Sequence, residues 1–252
     1  MDLVLCHTTA DFDTLGAAVG LARLQPGRRI VLTGGSHPTV QRFLAFHRDE
    51  YPLVERRAVD PSQISHLTLV DAQQPERFGP AADWITQAAK NQVSIAVYDH
   101  HPAVEETELL AAEERTVEAV GAATTLVVEA LQQQDIEPTV AEATVMALGI
   151  HVDTGSLLYE TATARDAAAL AWLMGHGASL SVIADFVEPS LSPVLQDLLT
   201  EALATLQMET VEGHSLAWVL LKVDRYLPGL SGLAEQLMSL ADADALLFGA
   251  YY

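Results

Sequence analysis

The chain has 252 residues, half of them hydrophobic and only 19% charged, which excludes a disordered polymer and predicts one large domain or a domain and a half. Its 13 Lys and Arg against 34 Asp and Glu give a formal charge of −21; this argues against duplex nucleic acid as a partner but leaves room for a small anionic ligand wherever cations neutralise local acids. Cys6 is the single cysteine, the N-terminus lacks a basic segment, and no apolar run reaches the roughly 18 residues that span a bilayer, so the expectation is a cytoplasmic protein without disulfides or a membrane partner.

From Asp2 to His101 short apolar runs alternate with helical stretches: LVLCH, Thr14 to Leu24, RIVLT, Val40 to His47, LTLVD, Ala81 to Asn91, then VSIAVYD. Such alternation predicts an α/β fold with a parallel doubly wound sheet whose strands are apolar throughout because helices cover both faces. Beyond His101 the pattern is mainly helical, with candidates at Ala122 to Gln134, Thr139 to His151, Ala164 to Gly175 and Leu180 to Val187. The helical periodicity from Leu191 to Thr210 predicts a connector helix, which divides the chain into residues 1–190, a connector at 191–212 and a second unit at 213–252. That second unit reads strand (HSLAWVLLKV), helix (LSGLAEQLMSLA), strand (DALLFGAYY), a fragment expected to be truncated. Its last strand could pair edge to edge with another copy, making a homodimer.

Several apolar runs end in acids or imidazoles: His7, Asp11 and Asp13 after LVLCH, Asp71 after LTLV, Asp99-His100-His101 after VSIAVY, and Asp153-Thr154-Gly155 after TVMALGIHV. In open α/β sheets ligands bind beyond the carboxyl ends of the strands. Buried acids need partners, and bases are scarce near these segments, so bound cations explain the pattern better than salt bridges do. The expectation is a two-metal site. Asp13 could also serve as a helix N-cap, but Asp11 and His7 so close by favour ligation. Gly16 would let the following helix approach closely. Asp71 could bridge the two ions. Among Asp99, His100 and His101, Asp99 suits the part of the acceptor that orients a ring. Asp153 at a helix C-terminus faces an unfavourable dipole that a cation would relieve. His151 reads as structural, and His37, in the Gly-rich turn TGGSHP, as an exposed loop histidine rather than a phosphate contact. No phosphate-binding G-x-x-x-x-G-K-[ST] loop, G-x-S-x-G elbow or thiolate zinc site is present. Lys90 and Lys222 are the only lysines and the eleven arginines are dispersed, a poor basis for a basic channel that tracks long DNA.

The segments H-T-T-A-D-F-D-T-L-G, V-D-A, Y-D-H-H-P and G-I-H-V-D-T-G resemble, in order and spacing, motifs I to IV of the DHH phosphoesterase superfamily. Over its whole length the chain looks most like the N-terminal module of cyanobacterial multidomain proteins that also carry CBS and poly(A) polymerase or tRNA nucleotidyltransferase domains. The resemblance implies a fusion to further domains. It also implies two divalent metal ions, Mn²⁺ foremost: one held by His7, Asp11 and Asp71, the other by Asp13, Asp71, His100 and Asp153, with His101 facing the scissile phosphate. Residues 213–252 would begin a DHHA1-like substrate domain. The implied activity is a two-metal phosphodiesterase acting on short single-stranded oligonucleotides or linear and cyclic dinucleotides. The alternatives are a manganese inorganic pyrophosphatase or a metal- and nucleotide-binding regulatory module without turnover. Family members often carry Pro where Ala10 stands and Gly where Phe12 stands, and no Gly-Gly-Gly-His-type loop occurs up to Tyr252.

Overall fold

The computed structural model describes residues 1–102, 112–187, 191–225, 227 and 229–251. These residues form two compact units, Met1–Glu188 and Pro189–Tyr252.

The first unit is built on a five-stranded parallel sheet in the order β2-β1-β3-β4-β5. The strands are β1 (Asp2–Cys6), β2 (Arg29–Leu32), β3 (His66–Val70), β4 (Ser94–Asp99) and β5 (Glu114–Val117). Side chains alternate across the sheet, and both faces are dry. Val4 and Cys6 of β1 enter one core with α1 (Phe12–Leu24), α4 (Ala123–Gln133) and α5 (Val140–Asp153), while Leu3 and Leu5 enter another with α3 (Ala82–Lys90). Burial pushes the Cys6 thiol up, which makes it an inert core group.

Helix α1 is buried on nearly every side, so its small residues decide how closely its neighbours come. A Cβ on Gly16 would lie 3.0 Å from the Val145 carbonyl oxygen, and one on Gly149 would lie 2.8 Å from the Phe12 carbonyl oxygen. These two glycines let α1 and α5 cross backbone to backbone, which brings the C-terminus of α5 to the N-terminus of α1. The unit is completed by α2 (Pro38–His47), α6 (Ala164–Gly175) and α7 (Leu180–Val187). Thr163 and Asp166 form a capping box at the start of α6, as do Thr139 and Glu142 at the start of α5.

In the second unit α8 (Pro193–Thr205) and α9 (Leu230–Ala241) pack on a sheet of β6 (Gln207–Val211), β7 (His214–Lys222) and β8 (Ala245–Tyr251). Strand β7 pairs antiparallel with β6 and parallel with β8. The connector expected as a helix over 191–212 is helical only to Thr205; Gln207–Val211 is strand, and Leu195, Leu198 and Ala202 of α8 belong to this unit's own core. Every residue of this strand is exposed, so it carries no apolar alternation, and the preceding leucine-rich helix obscured its start. Strand β5 was likewise unexpected, because ERTV is short and charged, as edge strands are. No helix among the described residues is long and apolar enough to cross a membrane.

Candidate metal centre

Strand β1 is followed in sequence by β2 on one side of it and then, across it, by β3. The strand order reverses there, and the crevice beyond the carboxyl ends of β1 and β3 is the natural ligand site of such a sheet. His7 follows β1 and Asp71 follows β3, so both enter that crevice. Asp71 turns the chain at a left-handed φ of 57°, which Asp tolerates better than most residues.

One cluster is local. His7 Nε2 lies 3.3 Å from Asp71 Oδ2, and the Thr14 hydroxyl stands 2.7 Å from each of those atoms and 3.0 Å from Asp11 Oδ1. Asp11, not Asp13, is the N-cap of α1, accepting from the Thr14 amide at 3.0 Å. The Thr9 amide donates to His7 Nδ1 at 3.3 Å and leaves Nε2 turned inward.

The other cluster is assembled from remote elements. Asp13 accepts from the Ala123 and Thr124 amides at the start of α4, at 2.7 and 2.8 Å. His100 Nδ1 donates to the Val120 carbonyl at 3.1 Å, so its Nε2 faces Asp153 at 3.1 Å, Asp71 at 3.5 Å and Asp13 at 3.8 Å. An imidazole nitrogen among three carboxylates is favourable only with positive charge between them. Burial alone would lower the His100 pKa, but hydrogen bonds with Asp153 and Asp71 prevail and push it up to about 11.

Burial holds Asp13 well above the usual carboxylate range, with Asp71 and Asp153 adding repulsion; burial and Asp71 raise Asp11 likewise. Burial also opposes ionisation of Asp71, but His100, His7 and Thr14 outweigh it and keep this group ionised. Its Oδ1 is buried without a hydrogen bond. The His100 and His101 ring nitrogens stand 3.5 Å from it, and a buried carboxylate oxygen without a hydrogen bond between two crowded acid–imidazole clusters is what bound cations would satisfy, so the residues fit a pair of metals. Ligand atoms of His7, Asp11 and Asp71 lie within 4.8 Å of one another, as do those of Asp13, His100 and Asp153, and those of Asp71, Asp99, His100 and His101. Oxygen and imidazole donors without thiolate suit Mn²⁺ and Mg²⁺ and also accept Co²⁺ or Zn²⁺.

Asp99 Oδ1 accepts from His101 Nδ1 at 2.8 Å and from the His100 and His101 amides at 2.9 and 3.2 Å. It thereby orients His101, and this hydrogen bond is the main reason that the His101 pKa is raised. His101 is half exposed and lines a cavity of about 230 Å³ with Asp71, Gln73, Gln74 and Arg77. Gln73, itself buried, donates to the His101 carbonyl at 3.2 Å. His151 stays outside the clusters, 3.2 Å from the Ser156 hydroxyl, and His37 N-caps α2 by accepting from the Thr39 amide.

Asp166 is a residue that the sequence pattern did not mark. It is fully buried, accepts from the Gly121 amide, the Thr125 hydroxyl and both donors of Thr163, and so ties α6 to the turn that carries Val120 and opens α4. Thr14 was also missed; its place one residue after Asp13 was the available signal. After Asp153 the chain turns through left-handed Gly155, Ser156 and Leu157, and a Cβ on Gly155 would strike the Tyr159 ring at 2.5 Å.

A doubly wound sheet whose switch point gathers two carboxylate–imidazole clusters defines an α/β protein able to hold divalent cations. The model of the DHH family, N-terminal domain, matches residues 3–150, and the chain belongs to that family. A-adding tRNA nucleotidyltransferases of Geobacter sulfurreducens and Aquifex aeolicus are 34% and 31% identical to it over 98% and 96% of its residues. The chain spans 28% of the length of each. Among solved structures, an exopolyphosphatase-related protein from Bacteroides fragilis has a TM-score of 0.72 at 16% identity, covering 94% of this chain and 72% of that one. A putative family II inorganic pyrophosphatase from Methanococcus jannaschii has a TM-score of 0.55 at 18% identity, covering 99% and 82%. At these identities the likeness is one of fold alone.

Proposed function

We propose that this chain is a Mn²⁺-dependent phosphodiesterase that hydrolyses short single-stranded oligonucleotides or linear and cyclic dinucleotides. The observation that carries the reading is the buried Asp71 Oδ1, which lacks a hydrogen bond and stands between two acid–imidazole clusters, 3.5 Å from the His100 and His101 ring nitrogens and beside a cavity lined by His101 and Arg77. His7, Asp11 and Asp71 would hold one ion, and Asp13, Asp71, His100 and Asp153 the other. Two divalent cations held there supply charge stabilisation to phosphoryl oxygens and acidify water.

The chain's own residues do the rest. Asp99 fixes His101 through Nδ1, leaving Nε2 as the nitrogen that donates to a phosphoryl oxygen, and the Asp99 hydrogen bond, by raising the pKa, favours the protonated ring. Gln73 holds the His101 backbone, and Arg77 puts a guanidinium on the same cavity for the anionic ligand. The Ala123 and Thr124 amides hold Asp13 with one carboxylate face committed. Residues 189–252 would form part of a DHHA1-like substrate domain. The greater length and the names of the curated relatives support a place for this chain as a module joined to a nucleotidyltransferase, and favour a nucleotide substrate over bare pyrophosphate.

Chromatography of products after incubation with Mn²⁺ and 5′-phosphorylated diadenylate tests the reading, with pyrophosphate in a parallel tube. Mononucleotide release is expected. Phosphate from pyrophosphate alone would replace it with the pyrophosphatase reading, and nucleotide binding without product would replace it with a regulatory module.

A further inference from the structure

Eleven arginines scattered through a chain of net charge −21 give no basic patch in sequence. The fold gathers three of them, Arg48, Arg56 and Arg57, around one cavity of about 480 Å³. Its other walls include Thr33 and the Gly34-Gly35 turn at the carboxyl end of β2. Glu55 is the one acid lining it, and its Oε1 is 2.8 Å from Arg48 Nη2, so that pair is neutral. Arg56 and Arg57 are exposed, and neither has a carboxylate within 4.0 Å among the described residues. Two uncompensated guanidiniums on a concave surface, in a protein this acidic, make an anion site.

Its place matters more than its charge. Leu32 of β2 pairs with Cys6 of β1, so the end of β2 stands beside His7, one strand spacing away, or about 4.8 Å. Thr8, the residue after His7, packs directly against the turn: a Cβ on Gly34 would lie 2.8 Å from the Thr8 side chain. The metal centre therefore has the His101 cavity on the β3 and β4 side and the arginine cavity on the β2 side.

We propose that the Arg56–Arg57 cavity binds a second phosphate of the substrate chain, one nucleotide or more from the bond that is cleaved. The inference rests on the phosphoesterase reading and narrows it: the substrate is an oligonucleotide strand. Pyrophosphate, whose two phosphoryl groups share a single oxygen, is too short to reach both sites. A guanidinium fork meets phosphate oxygens in pairs, which fixes where the strand's backbone crosses the sheet edge.

The test is anisotropy of fluorescein-labelled tetra-adenylate on the whole chain in EDTA at several salt concentrations. Arg56→Ala with Arg57→Ala is expected to weaken binding about tenfold or more and to flatten the slope of log K against log salt by about 0.7, the contribution of one phosphate contact on a single strand. Arg29→Ala with Lys90→Ala removes the same charge elsewhere in the first unit, Arg29 being exposed at the amino end of β2 and Lys90 exposed at the end of α3 ahead of β4, and is expected to stay within about twofold. Arg56→Lys with Arg57→Lys is expected to keep the slope and lose part of the affinity. Undetectable binding by the parent chain at millimolar concentration, unchanged binding in the first pair, or an equal loss in the Arg29 and Lys90 pair would overturn the proposal. Binding that depends on Arg56 and Arg57 in a chain that fails to hydrolyse diadenylate would sink the phosphodiesterase reading and leave this site standing; hydrolysis with an unaltered KM for tetra-adenylate in the first pair would do the reverse.

Discussion

The two halves of the candidate metal centre are built in different ways. His7, Asp11 and the Thr14 hydroxyl come from one short stretch between the end of β1 and the first turn of α1, and only Asp71 reaches them from elsewhere. Asp13, His100 and Asp153 come from the start of α1, the end of β4 and the last residue of α5, and meet only because α1 and α5 cross at Gly16 and Gly149. The first half is thus specified by a short stretch of chain and the second by packing. The first should survive perturbations of the helical layer that destroy the second, and Asp71 is the single group whose loss strikes both.

Asp71→Ala is accordingly the largest change expected. Removing the shared carboxylate should abolish binding of one Mn²⁺ and weaken the other, and cost about 10³-fold or more in kcat, since cation stabilisation of a phosphoryl transition state is worth several kcal/mol. Isothermal titration with Mn²⁺ and a thermal melt check it: the parent chain should gain Tm with Mn²⁺, and the variant should gain little.

Asp166 comes next, because it supports the second half from beneath. Burial would raise its pKa, but hydrogen bonds from Thr125, Thr163 and Gly121 outweigh that and hold it below its ordinary value of 3.8. A depressed folded-state pKa contributes stability that is present above the unfolded value and is lost as pH falls through the folded one. Asp166→Asn should therefore cost about 3 kcal/mol at pH 7 in urea unfolding, and the gap to the parent chain should narrow below about pH 4. Loosening of the Gly121 turn should also weaken Mn²⁺ at the His100 side.

These supports explain what could be read from sequence and what could not. The parallel sheet and every strand that feeds the switch point were legible, because a strand buried on both faces must be apolar from end to end and must stop where acids begin. His7, Asp71 and the Asp99-His100-His101 trio were visible for the same reason. Asp166 was not, since its partners at Gly121 and Thr125 lie over forty residues away and its local setting is that of an ordinary capping box. Asp13 reads as a ligand with an N-cap as its alternative, because it stands next to the expected first helical residue; helix α1 starts earlier, at Phe12, so Asp11 is the cap and Asp13 is turned toward α4. The arginine cavity was invisible because Arg48, Arg56 and Arg57 come together only through the course of the chain between β2 and β3.

Two small substitutions separate the halves directly. Gly149→Ala places a methyl 2.8 Å from both the Phe12 carbonyl oxygen and the Thr124 hydroxyl, and 3.1 Å from the Asp13 Cα, so α5 must move away from α1 and carry Asp153 with it. Overpacking of this kind costs about 1–3 kcal/mol, and the second Mn²⁺ should bind roughly tenfold to a hundredfold more weakly while the first is unchanged. Thr14→Val does the converse. It removes the hydroxyl that stands among His7, Asp11 and Asp71, leaves the α1–α5 crossing alone, and should weaken only the first Mn²⁺, by about tenfold. Competitive titration with two chelators of different strength resolves the two sites. If Gly149→Ala weakened both ions equally, the first half would depend on packing as the second does, and the turn after β1 would not be the autonomous unit that its hydrogen bonds describe.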